Sequence, residues 1–356
     1  MKKIKICIVG CGAIGTWLGV NLISSPRIEL SCLARASSVQ EIKTHGLRLD
    51  HNQIEPQSTQ VAHPSNVSDD ASILGHQDWI ILAVKATSLL ELVPQILPMV
   101  GSQTSIWTAM NGIPWWFTQG LEGPLKNNSF ESIDPNRVIS QSIPLKHWVG
   151  GVVHSSCSLL KAGHAKHHFG NRLLIGEPTQ ISPTRAGASA NITPRVQELS
   201  ELLCSVGFEA LATEHIQKDI WYKLWGNMTM NPISALTGAT TDKILSDPLV
   251  KNFVSGVMLE AQDIGNRIGI PILQTPEDRH NVTAKLGAFK TSMLQDIESK
   301  RSVEIDVLLT AVLELATWTQ VPSPLTSALL GLTRLKAQTM GLYPIAHKSE
   351  PLSRRT

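Results

Sequence analysis

Apolar residues in the first part of the chain come in short, dense runs, each closed by a small or polar residue. Residues 3–9 (Lys-Ile-Lys-Ile-Cys-Ile-Val), Ile28-Glu-Leu-Ser-Cys-Leu33, Trp79-Ile-Ile-Leu-Ala-Val84 and Ser105-Ile-Trp-Thr-Ala-Met110 are strand-sized. The third is nearly continuous in its apolar character, as expected of a strand buried on both faces. Between the runs, 16–24 reads as a helix with Trp17, Leu18, Val20, Leu22 and Ile23 as apolar positions, and 87–99 as a helix broken by Pro94 and Pro98. Leu47-Arg-Leu-Asp-His51 reads as a hairpin insertion. From 138 to 176 the pattern becomes short β-like runs at 138–141, 151–157, 164–169 and 172–175, with turn signals at Ala162-Gly163 and Gly170-Asn171. A helix at 194–204 and a strand at 208–213 complete this part.

After Glu214 apolar positions take helical spacing: 219–236, 248–269, 276–290, 307–320 and 323–342. The expected fold is α/β, an N-terminal Rossmann-type dinucleotide-binding domain over 1–214 followed by an all-helical domain over 215–345. That order places a cleft at their junction. Residues 178–192 read as a flexible Pro/Ser/Thr/Ala insertion, and 346–356 as a disordered basic tail. Residues 118–136 read as a long surface loop. Ahead of them, Pro114-Trp-Trp-Phe117 is a dense aromatic patch, taken as a loop covering the cleft or a subunit contact, because adjacent tryptophans on a regular element cannot both point inward.

Composition narrows the partners. The 356 residues are 42% hydrophobic and 17% charged, with a formal net charge of 31 − 29 = +2, so nothing electrostatic points to nucleic acid. No apolar run reaches the ~20 residues that span a bilayer. Five scattered cysteines and no leader ahead of the first strand point to a reducing cytoplasm. The sequons at Asn66, Asn127, Asn227 and Asn281 then read as chance matches. Monomer and homodimer stay open.

Chemistry gathers at the ends of the strands. Gly10-Cys11-Gly12-Ala13-Ile14-Gly15 follows the first strand directly and opens a helix, the arrangement that binds dinucleotides. Gly10 permits the tight turn, Gly12 lets backbone approach the pyrophosphate, and Gly15 allows close helix–strand packing. The second strand ends in Ala34-Arg35-Ala36-Ser37-Ser38, without the acid that would accept from a ribose 2′-hydroxyl; Arg35 suits a 2′-phosphate, so NADP is expected. Lys85 and Asn111 close the next two strands at the edge where open α/β sheets bind ligands. His164, His167 and His168 lack a nearby carboxylate or Cys, and no metal site is expected.

Lys223, Asn227 and Asn231 are spaced by four. On a helix each step turns about 40° past a full circle, so the three share one stripe. Among Trp, Leu and Met, such an amine and two amides form either a solvated face or a polar seam that needs partners.

With the glycine turn, Arg35, Val84-Lys85-Ala86, Asn111-Gly112, Lys223-Leu-Trp-Gly-Asn227-Met-Thr-Met-Asn231-Pro and Ser292-Met-Leu-Gln-Asp…Arg301-Ser-Val-Glu304-Ile-Asp306 in order, the chain resembles the ketopantoate reductase (2-dehydropantoate 2-reductase) family from residue 6 to residue 306. The resemblance implies NADPH-dependent reduction of 2-dehydropantoate to (R)-pantoate, on the route to pantothenate and coenzyme A. It implies Lys223 as proton donor. Asn227, Asn231 and Ser292-Met293-Leu294-Gln295 correspond to positions holding the substrate's carboxylate and hydroxyls, and Asn111 to a position between nicotinamide and substrate. Lys85 and Glu304 correspond to positions on the cofactor side of the cleft, and Ser156 approximately to a backbone contact to the cofactor. A further substrate contact, commonly Asn, falls at Thr241. That departure, with the aromatic patch, leaves the particular 2-oxo acid open. A paralogous NADP-dependent reductase and a non-catalytic NADP-sensing protein are the alternatives. Because twelve residues of helix would set Ser292 about 18 Å from Glu304, Ser292 is expected at a helix start, its hydroxyl and nearby N–H groups toward the substrate carboxylate.

Overall fold

The computed structural model describes residues 2–51, 59–123, 125–126, 128–179 and 192–345. Most of the 178–192 insertion, the sequon at Asn127 and the basic tail lie outside them. The chain divides into two compact units, 1–224 with 265–272, and 225–264 with 273–356.

The first unit is built on a ten-stranded mixed sheet: β1 (Ile4–Val9), β2 (Ile28–Leu33), β3 (Leu47–His51), β4 (Thr59–Ala62), β5 (Asn66–Ser68), β6 (Gln77–Leu82), β7 (Val100–Thr108), β8 (Trp148–Lys161), β9 (His164–Gly176) and β10 (Glu209–Ala212), in the order β4-β3-β9-β8-β7-β6-β1-β2-β5 with β10 also on β9. The half from β5 to β7 is wholly parallel. The later residues of its central strands are apolar because both faces are covered; Ile6, Cys7, Ile8, Ile80 and Ile81 are fully buried. The other half mixes directions: β8 and β9 are long antiparallel partners and β3–β4 is the expected hairpin, while β3 and β10 run parallel to β9.

The helix α1 (Ala13–Leu22) is buried on nearly every side. Trp17 stacks on His167 of β9 at 5.5 Å and meets Phe208 edge-on at 4.8 Å. Helices buried nearly all round are apolar on most faces, and in this one only Thr16 and Asn21 are polar.

Four local expectations are corrected. Residues 138–141 form the start of a helix, Val138–Ser142, rather than a strand; the Asp134 carboxylate accepts from the N–H groups of Ile139 at 2.6 Å and Ser140 at 3.1 Å, a cap that periodicity does not reveal. Gly170-Asn171 is no turn but an irregularity inside β9, where Gly170 adopts φ +81°. The aromatic patch is core, with Trp115, Trp116 and Phe117 all buried. Trp115 meets Trp148 edge-on at 5.6 Å and Phe117 lies 6.1 Å from Trp221. The segment is a turn followed by the 3-10 helix Phe117–Gly120, so successive side chains are not bound to opposite faces. The stretch after it also folds inward, on Leu121, Leu125, Phe130 and Ile133.

In the second unit the described elements are helical: the end of Ile216–Thr237, then Thr241–Ser246, most of Pro248–Arg267, Pro276–Ala284, Ser292–Glu298, a π-turn Asp306–Thr310 running into Ala311–Thr319, and Pro324–Thr339. Ser292 is the first residue of its helix, capped by Thr291, whose hydroxyl accepts from the Leu294 N–H. Regular helix is absent between Lys300, at φ +53°, and Glu304, as the spacing argument required.

Candidate active site

Register brings the first constellation together. Val9 pairs with Leu33 and with Leu82, and Leu82 with Thr108, so β1, β2, β6 and β7 end level. The ladder runs one residue further: Gly10 N–H donates to Leu33 at 3.0 Å, Ala83 N–H to Val9 at 2.9 Å, and Ala109 N–H to Leu82 at 2.9 Å. The glycine turn, Arg35, Lys85 and Asn111 therefore follow directly from neighbouring ends of one parallel sheet.

The turn has the shape its glycines demand. Gly10 sits at φ +93°, and a Cβ there would lie 2.4 Å from Val84 Cγ1. A Cβ on Gly15 would lie 2.0 Å from the Gly10 carbonyl oxygen. Gly12, the residue before α1, faces open space where its Cβ would be. The first turn of α1 carries no acid, so its N–H groups and positive dipole end are not pre-empted. A dinucleotide's pyrophosphate fits that cradle. Two buried thiols beneath it are pushed up: Cys32 by its hydrogen bond with Cys11 and by burial, and Cys7 by burial above all. Neither of these two opposes an anion there as a thiolate.

Arg35 is exposed at the N-cap of the helix Ala36–His45, and Lys85 is half-buried at the N-cap of the 3-10 helix Ala86–Ser88. Ser156 is buried on β8, between two shifts of the β8–β9 register.

The division between units falls inside Ile216–Thr237, leaving Lys223 with the first unit and Asn227 and Asn231 with the second. Lys223 Nζ donates to Asn111 Oδ1 at 2.8 Å and to the Val153 carbonyl at 2.5 Å. Of the two readings of the stripe, the polar seam with partners is therefore right for its first member. Asn111 follows a strand of the parallel half; Val153 lies on β8, just before the irregular stretch. The Val153 carbonyl is a site group that the sequence reading missed. A backbone acceptor leaves no side-chain signal to find.

In the second unit Asn231 Nδ2 donates to Ser292 Oγ at 3.3 Å, joining two of the expected substrate contacts. Asn227 is half-buried four residues before Asn231. Met293 and Leu294 are core side chains, and the Gln295 amide donates to the Lys290 carbonyl at 3.0 Å. Thr241 is buried, its hydroxyl donating to Gly287 at 2.8 Å. Glu304 stands half-buried between buried Val303 and Ile305.

A separate hollow of about 730 Å³ opens at the opposite, amino-terminal edge of the parallel strands, lined by Lys2, Ile4, Asp78, Ser105 and His147 among others. It holds none of the residues above. Nor do the strand histidines gather as ligands: His164 pairs with Asp50 at 3.0 Å, His168 with Ser158 at 2.9 Å, and His167 with the Gly170 carbonyl at 2.7 Å. Among the described residues no cluster could hold a metal ion, and no helix is long and apolar enough to cross a membrane.

A glycine turn at a parallel sheet edge and a lysine held by Asn111 and the Val153 carbonyl suit a nucleotide-dependent oxidoreductase acting on a CH–OH group. Comparison with known proteins agrees. A family profile described as Ketopantoate reductase PanE/ApbA matches residues 6–180, and one described as Ketopantoate reductase PanE/ApbA C terminal matches residues 215–337. A 2-dehydropantoate 2-reductase of Mesorhizobium japonicum is 38% identical over 339 residues, covering 95% of this chain and 99% of that protein. The crystal structure of a candidate ketopantoate reductase from Ralstonia solanacearum MolK2 matches with TM-score 0.87 and 45% identity, over 95% of this chain and 99% of that one. D-mandelate dehydrogenase, solved with NADH and anilino(oxo)acetate, shares the fold at TM-score 0.78 and 21% identity, over 95% of this chain and 100% of that one. The chain belongs to the ketopantoate reductase family.

Proposed function

We propose that the protein reduces 2-dehydropantoate to (R)-pantoate with NADPH, in the cytoplasm, as a step toward pantothenate and coenzyme A. The observation that carries this reading is the Lys223 ammonium held by Asn111 and the Val153 carbonyl. A lysine side chain is long and flexible, and two acceptors from separate segments fix where its proton is presented. In this reading the domain over 1–214 binds the nucleotide and that over 215–345 supplies the substrate contacts.

Gly10 to Gly15, Arg35, Lys85, Asn111, Ser156 and Glu304 would hold NADPH, with Arg35 on the 2′-phosphate. Bound NADPH supplies a hydride to C2 of the 2-oxo acid. As the C2 oxygen gains negative charge, Lys223 Nζ gives it a proton, so the C=O bond becomes CH–OH and the lysine is left neutral. Asn227, Asn231 and the Ser292–Gln295 segment hold the carboxylate and hydroxyls. Their neutral amides and hydroxyls do not compete for the proton.

A second reading, reduction of a different 2-oxo acid with the same lysine, is favoured by Thr241. At the position where the family resemblance implies Asn, this side chain is short and bonded to the Gly287 carbonyl. The D-mandelate dehydrogenase neighbour supports keeping it. Steady-state assays of the purified protein with NADPH, NADH and a panel of 2-oxo acids decide. The highest kcat/KM should fall on 2-dehydropantoate with NADPH. No turnover there, with turnover of another acid, would sink the specific assignment and leave the chemistry.

A further inference from the structure

The motif Arg301-Ser-Val-Glu304-Ile-Asp306 gives Glu304 to the proposed cofactor contacts, and its last residue has no role in that scheme. Asp306 opens the π-turn Asp306–Thr310. Its Oδ1 accepts from the Thr310 hydroxyl at 2.9 Å and from the Tyr343 hydroxyl at 2.7 Å. Tyr343 lies beyond the last described helix, and its neighbour Leu342 accepts from the Val303 N–H at 3.3 Å. The strap that carries Glu304 is thus held from one side by residues 342–343. From the other, Arg301 donates its N–H to the Asp296 carbonyl at 2.8 Å and its Nε to the Asp296 carboxylate at 3.0 Å.

A π-turn accommodates one residue more than an α-helical turn, and such turns concentrate at functional sites. If it relaxed to α geometry, the residues before it would rotate by about 100° relative to the helix that follows. Glu304 lies two residues before the turn. Its direction therefore depends on whatever holds that turn in place, and side-chain bonds from Asp306 to both Thr310 and Tyr343 do so. We propose that Asp306 and Tyr343 are positioning residues for the reduction, holding the π-turn whose phase sets the direction of Glu304. This rests on the assignment of Glu304 to cofactor binding made above. Burial, then the Asp306 carboxylate, push the Tyr343 phenol up, so it remains the donor at neutral pH.

Tyr343→Phe removes only the hydroxyl. It should raise the KM for NADPH roughly five- to tenfold, the scale of one lost hydrogen bond, while kcat and the KM for the 2-oxo acid stay within about twofold. Thr310→Val should shift the same constant in the same direction, by less. In a Glu304→Gln background, where the KM for NADPH is already raised, Tyr343→Phe should add nothing. A merely structural role would lower Tm and the active fraction without splitting the constants. An unchanged KM for NADPH in folded Tyr343→Phe, or effects that multiply independently with Glu304→Gln, overturns the proposal and leaves the Glu304 assignment standing. A wild-type KM for NADPH in Glu304→Gln alone removes that assignment and the proposal with it. Should Tyr343→Phe not fold, Thr310→Val with the same cycle gives the decision.

Discussion

The two halves of the sheet do different work. From β5 to β7 the strands are parallel, and β1, β2, β6 and β7 end level, each followed by a residue of the expected cofactor site. From β8 to β4 directions mix and the β8–β9 register slips near Ser156 and again toward Lys161. This half carries the Val153 carbonyl that accepts from Lys223 and, in the proposed scheme, Ser156 toward the cofactor. Lys223 is held by one acceptor after the parallel half and one on the mixed half. The level ends of the parallel strands place several groups at one edge, while the mixed half brings one carbonyl of β8, just ahead of a register shift, to the same lysine.

The largest effect should come from the lysine that draws on both halves. Lys223→Ala should lower kcat by roughly 10²- to 10⁴-fold, the usual loss when a general acid is removed. Steady-state NADPH oxidation reads it, and a wild-type rate would end the comparison. Asn111→Ala, which deletes only the acceptor following the parallel half, should cost roughly 10- to 100-fold in kcat/KM, as for a hydrogen bond to a charged group worth about 1.5–3 kcal/mol. An equal loss from Lys223→Ala and the double variant would place both residues in one unit of function. Gly15→Ala should destabilise by about 1–3 kcal/mol, because its Cβ would collide with the Gly10 carbonyl, and should weaken NADPH binding in the protein that still folds. Urea titration and nucleotide fluorescence check the two parts. Arg35→Ala should raise the KM for NADPH about tenfold and that for NADH hardly at all; equal changes in both would remove the 2′-phosphate contact.

The smallest effect lies in the mixed half. Burial, then Lys166 and His167, hold His168 below the ordinary 6.5. The folded protein therefore binds fewer protons at this residue than the unfolded chain. The contribution of neutral His168 is fully present above about pH 6.5 and is lost as pH falls below it. Between pH 7.5 and 5.5 the Tm of the wild type should fall further than that of His168→Gln. Parallel curves would contradict this.

How far each region was legible follows from the same contrast. The parallel strands announced themselves as short dense apolar runs, most plainly at 79–84, and the glycine turn because steric demand admits one residue type. Helix spacing put Lys223, Asn227 and Asn231 on one stripe while the resemblance supplied their expected roles, and the start of the helix at Ser292 followed from the distance that an unbroken helix would impose. What failed turned on side-chain and backbone detail that periodicity does not carry. Asp134 turns an apparent strand into a helix through its carboxylate. Gly170 resembles a turn signal, but a glycine with positive φ serves equally well in a strand irregularity. Trp115 and Trp116 were denied the core by an argument valid only for regular elements. The bond between Asp306 and Tyr343 joins residues far apart in the chain, with no spacing to betray it.

The account stands on an ammonium at position 223, and rebuilding it is the most direct test. Lys223→Cys treated with 2-bromoethylamine gains an ammonium of nearly the original length, with sulfur in place of one methylene. Treated wild type controls for the native cysteines, of which Cys204 is exposed. Turnover of 2-dehydropantoate should be low in Lys223→Cys and rise at least about tenfold on alkylation, a fraction of what acid catalysis contributes. A Lys223→Cys protein as fast as wild type, or alkylation that rebuilds the ammonium without restoring turnover, would contradict it.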